Sequence, residues 1–117
     1  SSDGGESWSP AEPSELVSPV SPASIKRIPK TGDLLAIWND HRVIDPALAG
    51  KRTPLSVAIS KDEGRTWGTS KAIESDPSGL FCYTAILFRD DRVLIAHNGL
   101  SQVPFMVASF AVEALYR

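Results

Sequence analysis

SKDEGRTW, residues 60 to 67, places Ser60, Asp62, Gly64, Thr66 and Trp67 at regular intervals, and SSDGGESW, residues 1 to 8, repeats the pattern with Ser1, Asp3, Gly5, Ser7 and Trp8. The two copies start 59 positions apart. Asp-x-Gly supplies a carboxylate that can accept backbone N–H bonds within a turn, followed by a residue free to take positive φ. Ser60 and Thr66 can bond locally on either side, and Trp67 is placed to pack beneath a hairpin. Two copies at equivalent positions cannot both be one active site, so Asp62 and Asp3 are expected to tie turns. A calcium loop is not supported, because Asp62 lacks the alternating series of oxygen ligands that such a loop needs.

Outward from this motif, the chain is a succession of short apolar runs bounded by Gly, Pro, Asn, Asp or Ser, with no sustained 3.6 period. ASIKRIP (23 to 29), DLLAIWND (33 to 40), PLSVAIS (54 to 60) and TWGTSKAIE (66 to 74) are expected to form four successive strands. CYTAILF (82 to 88), VLIAHN (93 to 98) and FMVASFAV (105 to 112) begin the unit again. The Pro- and Ser-rich stretch PAEPSELVSPVSP is expected to hold one short strand around Glu15 to Val17. Four-stranded meanders recurring at about 50 to 60 residues are the mark of a β-propeller. The fold class is therefore all-β, with 1–22 as the end of one blade and a linker, 23–75 as a full blade and 76–117 as a partial last blade. A single sandwich of about eight strands is the alternative that composition leaves open.

Composition narrows the chemistry. With 117 residues, 42% hydrophobic, 22% charged and a net charge of −2, the chain has the make-up of a small globular unit. Its cations form no run, so neither nucleic acid nor an anionic membrane is expected as a partner. One cysteine, Cys82, and two distant histidines, His41 and His97, offer no metal-ligand cluster, and no cofactor is expected. The chain opens on the first residue of a motif that belongs between two strands, so a C-terminal piece of something longer is expected.

Ser-x-Asp-x-Gly-x-Thr-Trp resembles the Asp-box of the sialidases and related BNR-repeat proteins, where it forms the turn between the third and fourth strands of a propeller blade. The resemblance extends through SPASIKRIPKTGDLLAIWND, RTPLSVAISKDEGRTW, FCYTAILF and FMVASFAVEALYR, and covers essentially the whole chain. It implies the C-terminal portion of a six-bladed β-propeller, and implies Arg52 as the third arginine of a substrate-binding triad and Tyr83, 31 residues later, as the nucleophile. These residue types suit sialic acid. A tyrosine approaches its anionic substrate neutral, where an Asp or Glu nucleophile would be repelled, and sialidases are the tyrosine exception among glycosidases. The phenol needs a neighbouring base, which the family supplies as a glutamate. Arginine grips a carboxylate with two parallel charge-assisted bonds.

The family's other two arginines, its acid/base aspartate and that glutamate would precede the first Asp-box. None of Glu6, Glu12, Glu15, Glu63, Glu74 or Glu113 sits in a matching motif, and Arg27 is expected on a blade surface. His97, Trp38, Asn39 and Asp40 end strands and are expected to serve packing or turns. The chain alone is thus expected to be inactive, as part of a retaining exo-sialidase-like hydrolase. A non-catalytic propeller that binds sialic acid or another acidic glycan is the second possibility. The third is self-association, three copies supplying about six blades in a closed ring.

Overall fold

The apolar runs become seven strands in two antiparallel sheets in the computed structural model, which describes residues 1–117. The first sheet is a meander in the order β1 (Ser24–Arg27), β2 (Leu34–Trp38), β3 (Leu55–Ser60) and β4 (Lys71–Glu74). The second sheet follows in the order β5 (Ala85–Arg89), β6 (Arg92–Leu100) and β7 (Val103–Ala111). Short 3₁₀ turns at Pro46–Leu48 and Val112–Tyr116, which carry no strand pattern, complete the chain.

Period-2 alternation decides which side chains meet. Leu35 pairs with Ile59 and Ile37 with Val57 across β2 and β3, so these four share a face, and Ala36 opposite Ala58 lies on the other. The first face closes on Val93 and Ile95 of β6, with Ile28, Phe81, Val112 and Leu115 completing one core between the sheets. Each such side chain, fully buried, contributes about 1.5–3 kcal/mol. The second face forms a smaller cluster of Ala36, Trp38 and Ala58, covered by Leu16 and Trp67. In the second sheet the far face stays open: Leu87 lies opposite Leu94, and Val107 opposite Ala96, with Leu87, Phe105 and Val107 exposed.

Strand direction gives the molecule two ends. The starts of β1, β3 and β5 and the ends of β2 and β6 lie at one, called upper here. The turn after β3, which holds Ser60–Trp67, lies at the other. The sheets are stitched along neighbouring edges: Thr84, just ahead of β5, donates from Oγ1 to Ser24 Oγ at 2.6 Å, Ser24 donates to the Thr84 carbonyl at 2.9 Å, and Lys26 reaches the Ile86 carbonyl at 2.8 Å.

Two expected strands differ. Glu15 to Val17 forms no strand. Its backbone is tied to the loop after β2 through His41 N–H donating to the Val17 carbonyl at 3.1 Å, while the Glu15 carboxylate accepts from the Trp67 N–H at 2.5 Å. The strand expected from Thr66 begins only at Lys71. After one bond from Gly68 N to the Ile59 carbonyl, Ser70 turns aside to donate to Asp40 at 2.5 Å, and the ladder shifts register at Leu55/Ser56.

Candidate functional site

Arg52 ends the loop that follows β2, and its backbone is fixed by Phe81 N–H donating to its carbonyl at 2.9 Å. The neighbouring Thr53 hydroxyl donates to the Asp76 carbonyl at 2.9 Å. These bonds bring the segment before β5 against the segment before β3. Tyr83 was expected on the first strand of the second unit, but β5 starts two residues later, and Tyr83 has φ +52°, a left-handed conformation uncommon outside glycine. The reason lies in its neighbours. Cys82 accepts from Asn98 N–H at 3.0 Å and is buried, while Thr84 is tied to Ser24, so the chain twists at Tyr83 and turns its side chain outward, 64% exposed.

The structure brings Arg52 and Tyr83 together. The guanidinium carbon lies 5.3 Å from the Tyr83 ring centroid, within cation–π range. Nη1 donates to the Cys82 sulfur at 3.3 Å and Nη2 to the Val20 carbonyl at 3.2 Å. The Tyr83 phenol first, and then the Cys82 sulfur, hold the guanidinium above its ordinary range, so it is a permanent cation. No Asp or Glu forms an ion pair with it.

The residues that end β2 and β6 have partners of their own. Asn39 is buried and saturated: its amide donates to the carbonyls of Pro54 at 2.9 Å and Phe81 at 3.0 Å, and its oxygen accepts from Ser21 at 2.6 Å. It therefore fastens the Arg52 and Tyr83 segments to each other. Asp40 takes a fork from Arg42, whose guanidinium also lies 5.6 Å from the Trp38 ring centroid. Burial pushes the Asp40 carboxyl up, but the bonds from Arg42 and Ser70 outweigh it and leave it below the usual carboxylate range. His97 is buried against Phe81 at 5.9 Å, donates from Nδ1 to the Asn98 carbonyl at 2.6 Å, and has Nε2 3.8 Å from Glu74 Oε1. Sequence reasoning missed Asn39 and Cys82 as supports for the pair. The signal for Asn39 was an amide ending an apolar strand, where its side chain can replace ladder bonds.

The two motif copies have one hydrogen-bond pattern. Asp62 accepts from Thr66 N–H at 2.9 Å and Thr66 Oγ1 at 2.6 Å, and Ser60 accepts from Gly64 N–H at 2.8 Å while donating to Asp62 at 2.8 Å. In the first copy, Asp3 accepts from Ser7 N–H at 3.0 Å and Ser7 Oγ at 2.5 Å, and Ser1 accepts from Gly5 N–H at 2.8 Å. Bonds from Thr66, and then Ser60, lower Asp62 to about 2, and the same arrangement lowers Asp3 further. Gly5 and Gly64 both have positive φ, with the Trp8 and Trp67 rings over them. Trp67 is half-buried, while Trp8 is 77% exposed. Arg27 is on the surface, forked onto Glu63 at 2.7 and 2.8 Å.

No group of three His, Cys, Asp or Glu side chains is placed to hold a metal ion, and no helix is long and apolar enough to cross a membrane. No curated protein and no solved structure gives a significant match to the chain. Residues 1–95 do match a family described as BNR repeat-like domain. With most of its length matched, including both Ser-x-Asp-x-Gly turns, the chain belongs to the BNR repeat-like domain family.

Proposed function

We propose that the two sheets are neighbouring blades of a sialidase-like six-bladed β-propeller, residues 23–75 and 76–117, with 1–22 closing the preceding blade. Arg52 and Tyr83 then face the central pocket and engage an acidic sugar, sialic acid being the best fit. The observation that carries this reading is the pair itself: a permanent cation with no carboxylate partner, stacked on an exposed phenol at the upper end of both sheets. The edge-to-edge bonds of Ser24 with Thr84 support it, because first strands converge in this way near a propeller axis.

In this arrangement Arg52 holds the sugar carboxylate through its fork, and the Tyr83 oxygen attacks the anomeric carbon as the bond to the leaving oxygen breaks. The phenol proton passes to a base, and the leaving oxygen takes a proton from an acid. No residue of this chain matches either proton carrier, so the remaining blades supply them, from the same polypeptide or from further copies. Those blades also cover the open face bearing Leu87, Phe105 and Val107.

A chromogenic sialoside tests the reading in the assembled propeller. Hydrolysis with retention, lost in Tyr83→Phe, is expected; unchanged turnover in that variant refutes the nucleophile. The second reading, an acidic-glycan-binding propeller without turnover, is favoured by the lack of any ion-paired or bonded carboxylate at the Arg52–Tyr83 pair. Binding of sialosides without cleavage, abolished in Arg52→Ala, would select it.

A further inference from the structure

At the lower end, a cavity of about 470 Å³ opens between the Ser60–Trp67 turn, the start of β4 and the 3₁₀ turn Val112–Tyr116. Its walls include Lys61, Lys71 and Arg117, together with Trp67, Thr69 and Tyr116, and no acidic side chain. In a chain of net charge −2, three cations converge on one concavity, and none of them takes part in an ion pair. Lys61 is exposed with Nζ 5.7 Å from the Tyr116 ring centroid, and Lys71 spends one donor on the Leu115 carbonyl at 3.3 Å, leaving two. The aromatic wall is fixed: Trp67 packs on the small cluster of the first sheet, and the Tyr116 hydroxyl donates to Asp33 at 2.7 Å.

We propose that this cavity is a second glycan site, taking a sulfated sugar. The cations neutralise the sulfate, Thr69 and the remaining ammonium donors bond its oxygens, and the aromatic faces receive the apolar side of the ring. Its size suits one or two sugar units. The site is distinct from the Arg52–Tyr83 pair, because Arg52 precedes β3 and Lys61 follows it. A strand of six residues separates them by about 20 Å. The two would let one molecule hold a sulfated glycan at one end while engaging a terminal acidic sugar at the other.

Isothermal titration of the chain with a heparin-derived sulfated disaccharide tests this. Saturable binding that weakens with salt is expected, at least about tenfold tighter than for the desulfated disaccharide or for inorganic sulfate. Lys61→Gln with Lys71→Gln should abolish it, Lys61→Arg should keep it, and Arg52→Ala should leave it unchanged. The Arg52 variant separates this site from the proposed acidic-sugar pocket. Should the double variant not fold, Lys61→Gln alone, at an exposed position, must weaken binding. Equal affinity for the desulfated sugar, equal affinity for inorganic sulfate, or indifference to Lys61→Gln would overturn the proposal.

Discussion

Arg52 lies over the face of Tyr83 with 5.3 Å between guanidinium carbon and ring centroid, and the two residues come from segments that lead into different sheets. The contact therefore depends on how the sheets dock. Tyr83 is exposed, and the half-buried Arg52 donates only to the Cys82 sulfur and the Val20 carbonyl, so Arg52→Ala should lower Tm only modestly while removing carboxylate-sugar binding. Arg52→Lys should not restore it, since an ammonium lacks the planar fork. Titration with sialic acid, monitored by the Tyr83 ring resonances, measures this directly; full affinity in Arg52→Lys would contradict a forked grip.

The carboxylates in the turns set the response to acid. Asp62 titrates at about 2 in the folded chain against an ordinary 3.8, so its contribution is complete above the unfolded value and disappears as pH falls through the folded one. Asp3, Asp40, Glu63 and Asp76 are shifted in the same direction. Tm should be flat above about pH 5 and fall steeply below pH 4. Asp62→Asn should lower Tm at neutral pH and make that fall shallower, because the amide nitrogen cannot accept from Thr66 Oγ1. An acid limb of unchanged steepness would show that Asp62 is not coupled to folding.

Gly64 has φ +83°, and a Cβ there would meet the Trp67 ring and Leu34 only at ordinary contact distances, 3.7 and 3.8 Å. The cost of Gly64→Ala is thus a backbone cost, about 1–2 kcal/mol. Urea denaturation should show this loss at an unchanged m-value. A neutral result would mean that the turn relaxes to another conformation.

The strands that could be located from the sequence were the short, largely apolar runs that are buried on both faces. LLAIW and LSVAIS are examples, and their registers place Ile37 on Val57 and Ala36 on Ala58. TWGTSKAIE was expected as a strand too, yet its first half leaves the ladder because Trp67 N–H goes to Glu15 and Ser70 to Asp40, partners 52 and 30 positions away. Distant polar bonds of this kind have no period. Glu15, in the same way, looked like part of a strand and proved to be a side-chain acceptor. The motif turns were legible because the bonds that Ser60 and Asp62 make to close them lie within four residues. The Arg52–Tyr83 pair drew attention only through resemblance, for a left-handed tyrosine has no signature in composition or spacing. Asn39 and Cys82, which support the pair, became visible only when the loops were in place.

Asn39 tests whether those loops are held as one unit. Its amide donates to the carbonyls of Pro54 and Phe81 while its oxygen accepts from Ser21, so three segments that are remote in sequence meet on one buried side chain. Asn39→Ala leaves two carbonyls and a hydroxyl without their partner and opens a small cavity, a loss of about 2–4 kcal/mol. Asn39→Asp should be at least as damaging at neutral pH, because a carboxylate would face two carbonyl oxygens without donating to either. Both variants should also disturb the Tyr83 ring signals, since Phe81 stands two residues before it. Chemical denaturation gives the stability loss, and the Tyr83 resonances report the site. Native-like Tyr83 signals in a destabilised Asn39→Ala would show that the Arg52–Tyr83 pair is positioned by the strands alone.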